Sequence, residues 1–141
     1  MPKPERKIPG TPSDWLARAR SSFAMASVSK PAETAWEDLC FEAQQAAEKA
    51  VKAVLQHRKM DFPFVHDIQN LLEILNQAGV PLTDTIKKTA VLSRYAFQTR
   101  YPGDYEPVTE EDYHRAIEQA KAVLDWAASI VERDFGATQK D

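Results

Sequence analysis

Between Trp36 and Leu55 apolar and small residues return every three or four positions, and no other feature of the 141-residue sequence limits the fold so strongly. Trp36, Leu39, Cys40, Ala43, Ala47, Ala50, Val54 and Leu55 form one face, while Glu37, Asp38, Glu42, Glu48, Lys49 and Lys52 fill the other. The spacing predicts an amphipathic helix from about Ala32 to Arg58. Its seam is mostly alanine, so neighbouring helices can approach closely, and the stretch is expected to be the central pillar of a helical bundle.

The rest of the chain follows the same period. Residues 1–12, with Pro2, Pro4, Pro9 and Pro12, cannot sustain a helix and read as a flexible, basic leader. Ser13 is a plausible N-cap for a first helix that carries Trp15, Leu16, Ala19, Phe23 and Ala26 inward and runs to about Val28. After the pillar, Lys59 to Val65 is a connector, because Pro63 biases Phe62 away from helix, and its apolar residues should fold down over the end of the bundle. His66 or Asp67 opens a short third helix with Ile68, Leu71, Leu72 and Leu75 inward, closed by Gly79. Thr83 or Asp84 caps a fourth, with Ile86, Ala90, Ser93 and Phe97 on one face, ending near Arg100. Pro102-Gly103-Asp104 is a turn, and Thr109 with Asp112 three residues on forms a capping box for the last helix. Tyr113, Ala116, Ile117, Ala120, Val123, Leu124, Ala127, Ile130 and Val131 then make a second long apolar stripe. No strand pattern or internal repeat competes. The expected fold is all-α, an up-and-down antiparallel bundle of about five helices over residues 13–135, with a short tail at 136–141.

Composition bounds the function. Hydrophobic residues make up 43% with only four glycines, enough for one buried core in one domain, and no Gly-rich phosphate loop is present. No apolar run nears the roughly 18 residues that span a bilayer, and Met1 to Arg6 lacks the apolar core of a signal peptide, so a cytoplasmic protein without a membrane partner is expected. Cys40, the lone cysteine, lies on the apolar seam and reads as a packing thiol. His57, His66 and His114 share no i, i+4 spacing, so neither metal nor cofactor is expected. The net charge of −3 is uneven: residues 1–32 carry +4, which leaves −7 for the remainder.

Strict alternation of helix direction would gather the leader, the 59–66 connector and the 101–108 loop at one end of the bundle. His66, Arg100, Tyr101, Asp104, Tyr105, Arg58 and Lys59 would then meet beside helix N-termini, where arginine can grip phosphate and a tyrosine can stack on a base. The same residues equally suit structural work: His66 as a cap, Arg100 paired with Asp104, the tyrosines as filling for the bundle end.

Phe41 and Ala43-Gln44-Gln45-Ala46-Ala47-Glu48-Lys49-Ala50 with Lys52, followed in order by His66-Asp67-Ile68 and Arg100-Tyr101-Pro102, resemble the prokaryotic HEPN family, named for higher eukaryotes and prokaryotes nucleotide-binding. The resemblance runs from about Asp14 to Val131. It implies a homodimer that associates with nucleotide or RNA beside a minimal nucleotidyltransferase, as in a toxin-antitoxin pair. Many relatives are metal-independent ribonucleases whose motif is an arginine, four to six residues, then a histidine. Here Arg100 is followed at that distance by Tyr105, and Arg58 and His66 are one residue too far apart. Histidine suits proton transfer near neutral pH, whereas an ordinary tyrosine titrates near 10, so a ribonuclease toxin is the alternative reading and catalysis is not expected. A third reading is a structural interaction module, since Gln44, Gln45 and the alanines around them permit close helix contacts.

Overall fold

The computed structural model describes residues 10–63, 67–97 and 106–139, with side chains in the last helix as far as residue 133. It is an all-α bundle, as expected, with no strand among the described residues. Helix α1 spans Pro12–Ala26. Thr11, not Ser13, is its N-cap, its hydroxyl accepting from the Asp14 N–H at 3.0 Å. The fixed φ of Pro12 is already helical, so the first turn begins two residues earlier than a Ser13 cap would allow.

Helix α2 is Trp36–His57, four residues shorter at its start than expected. Pro31 to Thr34 closes a turn instead, with the Thr34 N–H on the Pro31 carbonyl at 3.0 Å, and Asp38 caps the helix by accepting from the Ala35 N–H at 3.3 Å. At the other end Met60 N–H donates to the Leu55 carbonyl at 2.9 Å, and Lys59 takes a left-handed φ of 57°. This is a Schellman-type stop made without glycine. As far as Pro63 the connector folds back as expected, Phe62 meeting Trp15 edge-on at 6.1 Å between ring centroids, and the rest of it lies outside the described residues.

Helix α3 (Ile68–Gln77) is capped by the Asp67 carboxylate, which accepts from the Gln69 N–H at 3.0 Å, and it ends at Gly79 with φ 84°. The fourth helical stretch is interrupted. After α4 (Asp84–Lys88), residues Thr89–Ser93 form a 3-10 turn before α5 (Arg94–Phe97). The buried Thr89 hydroxyl bonds back to the Ile86 carbonyl, a contact that competes with regular α-helical bonding. Five residues advancing 120° rather than 100° each turn the face by about 100°. Ser93 still points inward and accepts from the Ile68 N–H at 2.8 Å, but Phe97, expected in the core, is 51% exposed.

Helix α6 (Glu110–Gln139) opens with the expected capping box: Thr109 N–H to the Asp112 carboxylate at 3.0 Å and Asp112 N–H to the Thr109 hydroxyl at 3.1 Å. Its apolar stripe, including Tyr113, Ala116, Ala120, Val123 and Ala127, is buried. Helix α2 packs extensively against both α1 and α6, which also touch each other. That packing corrects the expected polar face: Glu48 and Lys52 are buried, at 2% and 6% exposure, beside buried Gln44. Among the described residues no helix is long and apolar enough to cross a membrane.

The ends do not gather as strict alternation predicts. The Tyr113 ring lies 5.0 Å from that of Trp36 and its hydroxyl donates to the Ala26 carbonyl at 2.6 Å, so α6 enters at the first turn of α2. Arg58 and Lys59 leave the last turn of α2, beside Gly10 and Gln56. A 22-residue helix, about 33 Å long, separates the two groups. The broken fourth stretch does not return the chain along the full bundle, and α6 runs alongside α2 from its N-terminal end.

Candidate functional site

The α5–α6 junction is where charged side chains converge. Arg94, the first residue of α5, donates from Nη2 to the Tyr95 hydroxyl at 2.6 Å, and its guanidinium carbon lies 4.7 Å from that ring's centroid. The same nitrogen stands 3.9 Å from Asp112 Oδ1. Arg115, one turn along α6, donates to Asp112 Oδ1 at 2.6 Å and lies 3.6 Å from Glu111. A cleft of about 180 Å³ opens between Val91, Arg94, Tyr95, Asp112, Arg115 and Gln119.

One carboxylate therefore holds two arginines while it caps a helix. The Thr109 backbone N–H, and after it the Thr109 hydroxyl and Arg115, hold the Asp112 carboxyl below its usual range, so it stays ionised wherever the arginines need it. Tyr95 is nearly buried, and burial raises its pKa. Its hydroxyl links Arg94 to the Cys40 thiol, which anchors the guanidinium to the pillar helix. Each guanidinium keeps further N–H donors, arranged in a rigid fork that fits phosphate oxygens. The junction has the makings of an anion-binding surface.

Of the seven residues expected to form a site, Arg58 and Lys59 lie together at the far end of α2, away from this cleft. His66, Arg100, Tyr101, Asp104 and Tyr105 lie outside the described residues. Arg94 and Arg115 were not legible as a pair. Asp112 was, as a cap, and an arginine three residues after a capping acid is a readable ion pair. That Arg94 joins it depends on the packing of α4 and the 3-10 turn on α6, which sets the start of α5 beside Asp112.

A second polar cluster lies inside the bundle. Lys52 Nζ bonds Glu48 Oε2 at 2.9 Å, Gln44 Nε2 donates to Glu48 Oε1 at 3.0 Å, and Gln45 Nε2 donates to Gln44 Oε1 at 2.8 Å. The Lys52 ammonium is 5.3 Å and 5.6 Å from the ring centroids of Trp15 and Phe62. Gln44, Glu48 and Lys52 are buried, and the cluster reads as structural. No group of metal-ligating side chains occurs among the described residues.

Cys40 is fully buried, and burial pushes its thiol up to about 12. At pH 8 that leaves about one thiol in ten thousand as thiolate, so the native protein should resist a maleimide or disulfide reagent and react fully once denatured. Rapid native labelling would show that the α2 seam opens easily.

The HEPN domain model matches residues 12–131 of the chain. A solved structure of TT1696 from Thermus thermophilus is 29% identical, with a TM-score of 0.74 over 85% of this chain and 98% of that one. The structure of ST0689, described as an archaeal HEPN homologue, is 29% identical with a TM-score of 0.67 over 86% and 98% of the two chains. No curated protein matches the chain.

Proposed function

Because the chain belongs to the HEPN domain family, matched over residues 12–131, we propose that it associates with nucleotides or RNA through the arginines of the α5–α6 junction, without cleaving them. The carrying observation is the convergence of Arg94 and Arg115 on Asp112 at the mouth of the cleft. Arg100 follows Arg94 by six positions in the sequence. A phosphate entering the cleft meets two guanidiniums already oriented by Asp112 and Tyr95, so little side-chain entropy is lost on binding. The absence of a histidine after four to six intervening residues past Arg100, at positions 105–107, supports association over catalysis. Within this reading the protein works as a homodimer beside a minimal nucleotidyltransferase.

The test is a titration of labelled single-stranded RNA and of nucleotides. Arg94→Ala and Arg115→Ala should each weaken binding by about tenfold, the worth of a charge-assisted hydrogen bond, and reduce the salt dependence by about one phosphate contact. Helicity and native mass should stay unchanged. Parent and variants with the same titration curve, or no binding by either, would assign the junction a structural role. RNA cleavage in the presence of a chelator, lost on His66→Ala and on Arg100→Ala, would instead establish the ribonuclease.

A further inference from the structure

Where α1 ends and α2 begins, Met25, Val28, Pro31, Leu39 and Phe41 line an open groove of about 330 Å³ that the arginine cleft does not share. Met25 and Val28 are 55% and 49% exposed, among the most exposed large apolar side chains described. Asp38 and Glu42 line the same groove, and among the described residues no lysine or arginine does. Lys30, nearby in sequence, is turned to the Thr34 carbonyl at 2.8 Å and lies over the Trp36 ring at 5.4 Å. The result is an apolar floor with an acidic edge, formed by Glu42 and by Asp38, which also caps α2.

We propose that this groove docks a basic amphipathic helix of another protein, with apolar anchors set down on Met25, Val28 and Leu39 and lysines or arginines facing Asp38 and Glu42. Charge decides the occupant. Nucleic acid and anionic lipid surfaces are repelled by Asp38 and Glu42. A second copy docked with this patch on the two-fold axis would bring the acidic edges of both copies close together, with no lysine or arginine in the groove's described lining to offset them. A helix with apolar residues at i, i+3 or i+4 and i+7 and basic flanks satisfies both the floor and the edge. Methionine at the centre suits it, since its unbranched side chain adapts to a partner's shape.

The probe is a synthetic 18-residue helical peptide of leucine and lysine, compared with its glutamate-for-lysine counterpart and titrated into the isotopically labelled protein. The basic peptide should shift backbone resonances within residues 25–42, and the acidic one should not bind there. Glu42→Lys should weaken the basic peptide by roughly threefold to tenfold, in line with reversing an exposed charge, and added salt should weaken it further. Met25→Asp, at an exposed position that does not threaten folding, should remove about tenfold or more by placing a charge on the apolar floor. Shifts that map elsewhere, equal binding of the two peptides, or indifference to Glu42→Lys would overturn the proposal. So would a change of native mass in Met25→Asp by light scattering, which would mean that a second copy covers the groove. RNA binding at the α5–α6 junction should be unaffected by either substitution, so the two sites fail or succeed separately.

Discussion

Truncating Lys52 to alanine should cost the fold about 3–5 kcal/mol, a large part of the roughly 5–15 kcal/mol that holds a domain together. Lys52 and Glu48 are both buried and 2.9 Å apart, within an alanine-rich helix wrapped by its neighbours. Removing the ammonium leaves the Glu48 carboxylate in a low-dielectric interior without its counter-charge. It also takes away the cation that packs against both Trp15 and Phe62, which tie α1 and the connector to α2. Glu48→Ala should do comparable damage from the other side. The double change Glu48→Met with Lys52→Met should recover most of the loss, because the desolvation penalty disappears together with the attraction. Thermal melts decide the matter: a fall of roughly 10–15 °C in Lys52→Ala is expected. If Lys52→Ala melts like the parent, the pair is solvated and α2 is not sheathed on that side.

The same residues show where sequence reasoning stops. Periodicity located the helices because a stripe of apolar positions has few other ways to be buried. It assigned Glu48 and Lys52 to the solvent face because charge is normally exposed. What it could not weigh was the alanine on either side of them: small residues at Ala46, Ala47, Ala50 and Ala53 let α1 and α6 close around the helix, and the charged pair is then enclosed in mutual satisfaction. The interruption at Thr89–Ser93 was hidden for a related reason. A threonine hydroxyl that captures the Ile86 carbonyl leaves no trace in hydrophobic spacing, yet it rotates the following turn enough to expose Phe97. Local chemistry such as the Thr109–Asp112 box and the Asp67 cap was legible because both partners lie within one turn. The convergence of Arg94 with Arg115 was not, since it depends on which end of α2 receives α6, and strict alternation gives the wrong end.

An aspartate introduced at Ala120 should be the most damaging single change on α6, with a loss of about 4 kcal/mol or more near neutral pH. Ala120 is fully buried on the stripe of the helix that packs along α2. Among the described residues the core holds one carboxylate, Glu48, whose two oxygens are met by Lys52 and Gln44; Ala120 lies instead in the apolar cluster with Val123, Leu124 and Ala116. The loss should depend on pH, with a sign that follows from burial. Desolvation raises the folded-state pKa of the new aspartate above its unfolded value of about 3.9, so the native state binds the extra proton more tightly than the unfolded state does. Rising pH therefore widens the gap between variant and parent, from about pH 4 upward until the folded-state group has titrated, a window that burial can extend by about 3 units or more. Urea unfolding of parent and variant at pH 4.5 and pH 8 reads this directly. A deficit of the same size at both values would mean that the side chain reaches water, and that the face of α6 carrying Ala120 is not the one buried against α2.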